Sequence, residues 1–323
     1  MATELELIKA SEIEPKDVEW LWYPFIPYGK VTLIQGYPGD GKSIFILSIA
    51  SLLTQGKKLP FCDEEIEACN VIYQTTEDDA EDTIVPRFIK SGGDRNRLLF
   101  INENKKTLAF NDERILQAIK LTNAKLLILD PLSSYIGENT NMNLANECRT
   151  QFNHLINVAK ETNCAIVIIG HLNKAQGMKA INRTNGSMDI VGAVRSALII
   201  TKLDEKNRPN DRILVMQKSN LAPTGKAIIF SIIDGKIEWL EEIEKTADEI
   251  LDFTETIGRP DIQTQKAIET LKELLEDKTV LQKEIMEKMS SVGISERTTR
   301  KAKAMLEVES VKKGNQWFWY LKQ

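Results

Sequence analysis

Residues 36 to 43, Gly-Tyr-Pro-Gly-Asp-Gly-Lys-Ser, follow the pattern G-x-x-x-x-G-K-[ST], a spacing that suits a phosphate group. Gly36, Gly39 and Gly41 allow the backbone to turn so that successive N–H groups face one centre. A helix starting directly afterwards adds the partial positive charge of its N-terminus. Lys42 has the reach to touch β- and γ-phosphates, and the Ser43 hydroxyl is a ligand that Mg²⁺ accepts. With Tyr37, Pro38, Asp40 and Ile44 completing the loop, residues 36 to 44 are the expected binding wall for ATP.

Three further residues stand where strands should deliver them to the same place. Leu126-Leu127-Ile128-Leu129-Asp130 is an apolar run ending in a carboxylate, the Walker B pattern, which would hold Mg²⁺ beside Ser43. Pro131 follows, so no second acid stands beside Asp130 to orient water, and a base must come from another strand. Val71 to Thr75 supplies one, since Glu77-Asp78-Asp79 follows it. Glu77 is the candidate for activating water, with Asp78 as its alternative. The same three acids would also suit a solvated helix start. Ala165 to Gly170 then leads into His171, a candidate sensor of the γ-phosphate. His154 falls inside an amphipathic helix and reads as structural.

These residues need a scaffold of alternating strands and helices. Lys30 to Gln35 reads as a buried strand and Ile44 to Leu53 as the buried helix after it. Strands at Val71 to Thr75, Leu98 to Ile101, Leu126 to Leu129 and Ala165 to Ile169 alternate with helices at Ile115 to Leu121 and Phe152 to Ala159. That rhythm predicts an α/β fold with a doubly wound, mostly parallel sheet. Ala197 to Lys202, Arg212 to Gln217, Ala227 to Ile232 and Ile237 to Leu240 are shorter, with turn residues between them, and predict an antiparallel extension. The aromatic stretch Trp20 to Tyr28 is too proline-rich for a helix and is expected to pack on one end of the sheet; an aromatic lid over the base is the alternative.

At 323 residues the chain is long enough for two domains. The division expected is 1–240 for the nucleotide-binding domain, an acidic linker over 241–262 with Gly258-Arg259-Pro260, and a small domain over 263–323. A net charge of −5 excludes a global pull toward nucleic acid, so any such binding has to be local. Four cysteines without C-x-x-C spacing and two histidines argue against a zinc site. The acidic N-terminus lacks a signal-peptide core, and no apolar run approaches the ~20 residues a membrane span needs. A cytoplasmic protein with reduced thiols and no membrane association is expected.

The loop of residues 36 to 43, the Glu after the next strand, a Walker B without a second acid and His171-Leu172-Asn173-Lys174 together resemble the RecA-like ATPases. The nearest branch is that of RepA-type plasmid and phage replicative helicases, related to DnaB and KaiC. Val18 to Tyr23 ahead of Ile26 to Lys30, and Gly186-Ser187 followed by Gly192 to Ala197, are similar to that branch too. The resemblance spans roughly residues 15 to 240. It implies a homo-oligomeric, hexameric ring with ATP between subunits and a cation inserted by the neighbour. Met216 to Pro223 is similar to the segment carrying that cation, which makes Lys218 the expected finger in trans. Arg212 is the alternative, and a solvated lysine on an edge strand is the plainer reading. Some relatives carry a second basic residue two positions on; here it is Asn220. The resemblance also places the basic loop 174–185 on the ring channel, where Lys174, Lys179 and Arg183 would grip single-stranded DNA; a plain surface loop is the alternative.

The last sixty residues predict three helices (about 263–276, 280–290 and 295–307) and a hairpin turning at Lys313-Gly314-Asn315. They resemble a winged helix, with Ile294, Ala302, Met305 and Leu306 inward. Arg297, Arg300, Lys301, Lys303, Lys312 and Lys313 would be outward, available to single- or double-stranded DNA. From 297 onward seven basic residues meet two acidic ones. Many winged helices bind protein instead. The combined expectation is an ATP-hydrolysing motor on DNA, of the replicative-helicase kind. A DNA-binding regulator or recombination mediator switched by ATP, and a KaiC-like protein-directed ATPase, are the alternatives.

Overall fold

The computed structural model describes residues 7–136, 145–172, 188–203, 208–250, 262–276, 278–306, 308–314 and 316–321. The chain divides into two compact units, residues 1–253 and 254–323.

In the first unit the elements run in this order: β1 (Trp20–Trp22), β2 (Ile26–Pro27), β3 (Val31–Gly36), α1 (Lys42–Gln55), β4 (Val71–Thr75), α2 (Val85–Lys90), β5 (Leu98–Leu99), α3 (Glu113–Thr122), β6 (Leu126–Asp130), α4 (Leu132–Tyr135), α5 (Ala145–Thr162), β7 (Ala165–His171), α6 (Met188–Ala193), β8 (Ser196–Lys202), β9 (Asp211–Ser219), β10 (Ala227–Ile233) and β11 (Lys236–Ile243). Strands β3 to β11 form one sheet, in the order β11-β10-β9-β8-β3-β7-β6-β4-β5. The six strands from β8 to β5 in that order pair in parallel, and β9, β10 and β11 extend it antiparallel. This is the expected α/β architecture.

Each central strand is buried on both faces, because successive side chains point opposite ways. Ile34, Leu126, Ile128, Val167 and Ile169 pack with Phe45 and Ile46 of α1 and Phe88 of α2. Leu33, Leu127, Leu129, Ile166 and Ile168 pack on the other side with Ile115 of α3, Phe152 of α5 and Ile190 of α6. Helices on both faces leave the strand ends as the accessible rim. Helix α1 is apolar nearly all round, as its position between sheet and hairpin requires.

Several local expectations change. The aromatic segment does pack on one end of the sheet, where Ser196 Oγ at the start of β8 donates to the Phe25 carbonyl at 2.7 Å, but as a hairpin, β1 with β2, whose Leu21, Trp22, Phe25 and Ile26 join the core with α1. Trp22 lies 6.0 Å from Phe45 and 6.3 Å from Trp239, so it is unavailable to a nucleotide base. Strand β5 ends at Leu99 and not at Ile101, because the buried Gln74 side chain takes both the N–H and the carbonyl of Ile101. Strand β11 runs on to Ile243, where it pairs with Ala227, so residues 241–243 belong to the sheet and not to a linker.

The second unit contains α7 (Ile262–Leu275), β12 (Val280–Leu281), α8 (Gln282–Ser291), α9 (Glu296–Met305), β13 (Glu309–Lys313) and β14 (Gln316–Tyr320), with an antiparallel sheet ordered β12-β14-β13. Gly293 turns between α8 and α9 at a φ of 80°, and Ser295 caps α9 by accepting from the Thr298 N–H. Ile285, Met289, Ile294, Ala302, Val308 and Trp319 are its core. Met305, expected inside, is 38% exposed. The helix stops there and the chain turns into β13, so Val308 and Trp319 complete the core in its place.

Candidate functional site

Pairing register brings the candidate residues to one rim. Thr75 lies opposite Asp130 across β4 and β6, and Gly36 lies opposite His171 across β3 and β7. All four are at the carboxyl ends of parallel strands, the usual place for ligands in open α/β sheets. The loop depends on its glycines for two reasons, space and backbone angle. A Cβ on Gly36 would stand 2.3 Å from the Ile200 carbonyl oxygen, and Gly41 adopts a φ of 89°, where its Cβ would stand 2.3 Å from Cδ1 of Ile232.

Lys42 is buried, and its Nζ donates to the carbonyls of Gly36 at 3.1 Å and Tyr37 at 3.0 Å. His171 Nδ1 lies 3.4 Å from the same Nζ. Burial draws the lysine below its usual range, against the charges of Asp40, Asp130 and Glu77. Burial also lowers His171, and the Lys42 charge adds to that, so the imidazole is favoured neutral with a nitrogen able to accept from the ammonium. Asp40 is buried in the loop, and its Oδ2 accepts the Tyr37 N–H at 2.9 Å. Burial raises this carboxyl, opposed by the Tyr37 N–H and the charges of Lys42, Lys202 and Arg212.

Asp130 Oδ2 accepts the Ser43 hydroxyl at 2.7 Å. Two oxygen groups in contact at the start of a helix are a donor set for a hard cation such as Mg²⁺, so these residues fit the ion that a nucleoside triphosphate brings. Tyr73, which sequence reasoning missed, donates to the same Oδ2 at 2.8 Å. Burial and the Asp130 charge hold its phenol well above the usual range, so it is a protonated donor. The available signal was a phenol in the middle of the buried strand β4, four residues before Glu77.

Glu77 is exposed just beyond β4, and its charge acts on both Lys42 and His171. Asp78 instead pairs with Arg87 at 2.9 Å. Beside these acids lies a cleft of about 630 Å³ that also takes in Phe100 and Glu103.

Lys218, on β9, lies away from this loop. Its Nζ donates to the carbonyls of Val191 at 2.7 Å, Gly192 at 3.0 Å and Val194 at 3.0 Å, at the C-terminal end of α6. A cation is favoured there by the unpaired carbonyls of the last helical turn. Arg212, also on β9, donates to the carbonyls of Pro209 and Asp211, and its charge is felt by Asp40 of the same chain.

Lys174, Lys179 and Arg183 lie outside the described residues. In the second unit Arg297, Lys301, Lys312 and Lys313 are exposed, and Lys313 lies 5.7 Å from the Phe318 ring. Arg300 pairs with Glu296 at 2.7 Å. Lys303 sits 4.4 Å over the Trp319 ring and bonds Ser310, so its ammonium serves this unit's own packing.

A parallel sheet with a glycine loop, lysine and serine leading into α1, and an aspartate on the rim, defines a P-loop ATPase. The chain belongs to the AAA-domain family, which matches residues 2–177. It is 24% identical over 216 residues to the DNA repair protein RadA of Aquifex aeolicus (strain VF5), a match covering 66% of this chain and 42% of that protein. This chain therefore spans less than half of that relative's length. Among solved structures it is similar to the RadB recombinase, at 20% identity and a TM-score of 0.47, over 67% of this chain and 93% of that one. A KaiC-like protein of Pyrococcus horikoshii OT3 matches at 18% and 0.48, over 70% and 98%. Among the described residues no helix is long and apolar enough to cross a membrane.

Proposed function

We propose that the protein hydrolyses ATP with Mg²⁺ and acts on DNA as a homo-oligomeric, hexameric ring, as a motor of the plasmid- or phage-type replicative helicases. The meeting of Lys42, Ser43, Asp130 and His171 on one rim carries the ATPase part of this reading. Bound Mg²⁺ would neutralise charge on the β- and γ-phosphates, held by Ser43 and Asp130. Lys42 moves from the carbonyls of Gly36 and Tyr37 to the phosphates. Glu77 takes the proton of the attacking water, in preference to Asp78, whose carboxylate Arg87 already engages. His171 responds to the γ-phosphate through its contact with Lys42. Lys218 of one copy supplies positive charge to the site of the next. Lys174, Lys179 and Arg183 hold single-stranded DNA, and Arg297, Arg300, Lys301, Lys312 and Lys313 offer a second basic surface, with Lys303 behind it.

The similarity to the DNA repair protein RadA favours a second reading, a recombination mediator in which ATP controls assembly and no duplex is opened. The experiment is steady-state ATPase activity with and without single-stranded DNA at low and moderate salt, run beside strand displacement on a forked duplex. The helicase reading expects salt-sensitive stimulation together with displacement. Stimulation without displacement selects the mediator, and activity indifferent to DNA overturns both in favour of a protein-directed ATPase.

A further inference from the structure

Tyr73 is fully buried on β4, yet a phenylalanine would fill the same space and need no polar partner. A buried hydroxyl without a partner is costly, so the group that satisfies it says what it is for. That group is Oδ2 of Asp130, at 2.8 Å, the same oxygen that accepts Ser43 at 2.7 Å. The ring is held from the side by Phe100, whose centroid lies 6.5 Å away. Strands β4 and β6 pair directly, with Tyr73 opposite Ile128, so the contact is built into the sheet.

We propose that Tyr73 is a positioning residue for the metal site: its hydroxyl locks the Asp130 carboxylate against Ser43, so that both oxygen groups are ordered before Mg²⁺ arrives. The proposal rests on the ATP–Mg²⁺ reading above and adds a residue to it. Groups that hydrogen-bond to metal ligands commonly contribute tenfold or more to metal affinity, because they fix the ligand's orientation and basicity. Placing the donor on β4 also ties the metal site to the strand that leads into Glu77.

The test is Tyr73→Phe, measured by the binding of a fluorescent ATP analogue in EDTA and across a Mg²⁺ titration. Affinity in EDTA should be unchanged, while the Mg²⁺ concentration giving half of the metal-dependent gain rises about tenfold. In an Asp130→Asn background the same substitution should add little. An unchanged Mg²⁺ titration for Tyr73→Phe would overturn the role assigned to the hydroxyl. Loss of the folded state, followed by thermal melting, would assign the hydroxyl to stability and overturn it too. If the unaltered protein binds the analogue with no response to Mg²⁺, the fault lies with the ATP–Mg²⁺ reading itself.

Discussion

Nζ of Lys42 lies 3.4 Å from Nδ1 of His171, which joins the phosphate-binding loop to the end of β7. Burial and the lysine charge both hold His171 below the usual histidine value of 6.5. With the folded pKa below the unfolded one, the unfolded chain binds the extra proton first as pH falls. The stability from a neutral His171 is therefore complete above about pH 6.5 and declines as pH drops through that value toward the folded pKa. Melting temperature should fall over this window, and His171→Asn should flatten the slope while changing little above pH 7. Melting curves at half-unit steps from pH 5 to 8 check this, and a parallel decline in the variant would remove His171 as its source.

Glu77 and Asp78 are neighbours with different surroundings, one exposed and one paired with Arg87. Glu77→Gln should bind ATP as the unaltered chain does and lose roughly 10²- to 10⁴-fold in turnover, the scale of a missing general base. Asp78→Asn should keep turnover and cost at most about 1 kcal/mol through the exposed ion pair. Single-turnover hydrolysis separates them, and reversed effects would move the base to Asp78.

Lys218 closes the C-terminal end of α6 with three carbonyl contacts. Lys218→Met should destabilise the protein by about 1–3 kcal/mol, since the carbonyls lose a charged donor. For a finger acting between subunits it should also depress turnover more than linearly when mixed into unaltered protein. A melting shift with turnover strictly proportional to the unaltered fraction would leave Lys218 as a helix cap alone.

Gly36 has no space for a methyl group, because a Cβ meets the Ile200 carbonyl at 2.3 Å. Gly36→Ala should force β3 and β8 apart, destabilise the fold by about 1–3 kcal/mol and weaken nucleotide binding. Calorimetric unfolding and analogue binding report the two effects; full stability would mean that the rim yields easily.

In the second unit Lys303 packs over Trp319 while Arg297 is exposed. If this surface binds DNA, Arg297→Ala should lower affinity and reduce the salt slope by about one unit. Lys303→Ala should instead lower the melting temperature. DNA-binding isotherms at several salt concentrations decide it, and an unchanged slope for Arg297→Ala would take that residue off the DNA surface.

The chemistry-bearing residues were legible in the sequence wherever local spacing dictates the geometry. The 36–43 loop needs glycines at turns and a lysine beside a helix start, and Asp130 needs an apolar strand to carry it; each requirement is met by neighbours in the chain. The alternation of strand-like apolar runs with helical stretches likewise implied a mostly parallel sheet covered on both faces. The partners were decided by the tertiary structure, because they come from residues far apart in sequence. Tyr73 reaches Asp130 only after β4 and β6 pair, Lys218 meets the end of α6 only once β9 lies beside β8, and Ile101 leaves its strand because the side chain of Gln74 takes its backbone groups. Sequence period tells which face a side chain occupies; which atom waits on that face is settled by register and by strand order in the sheet.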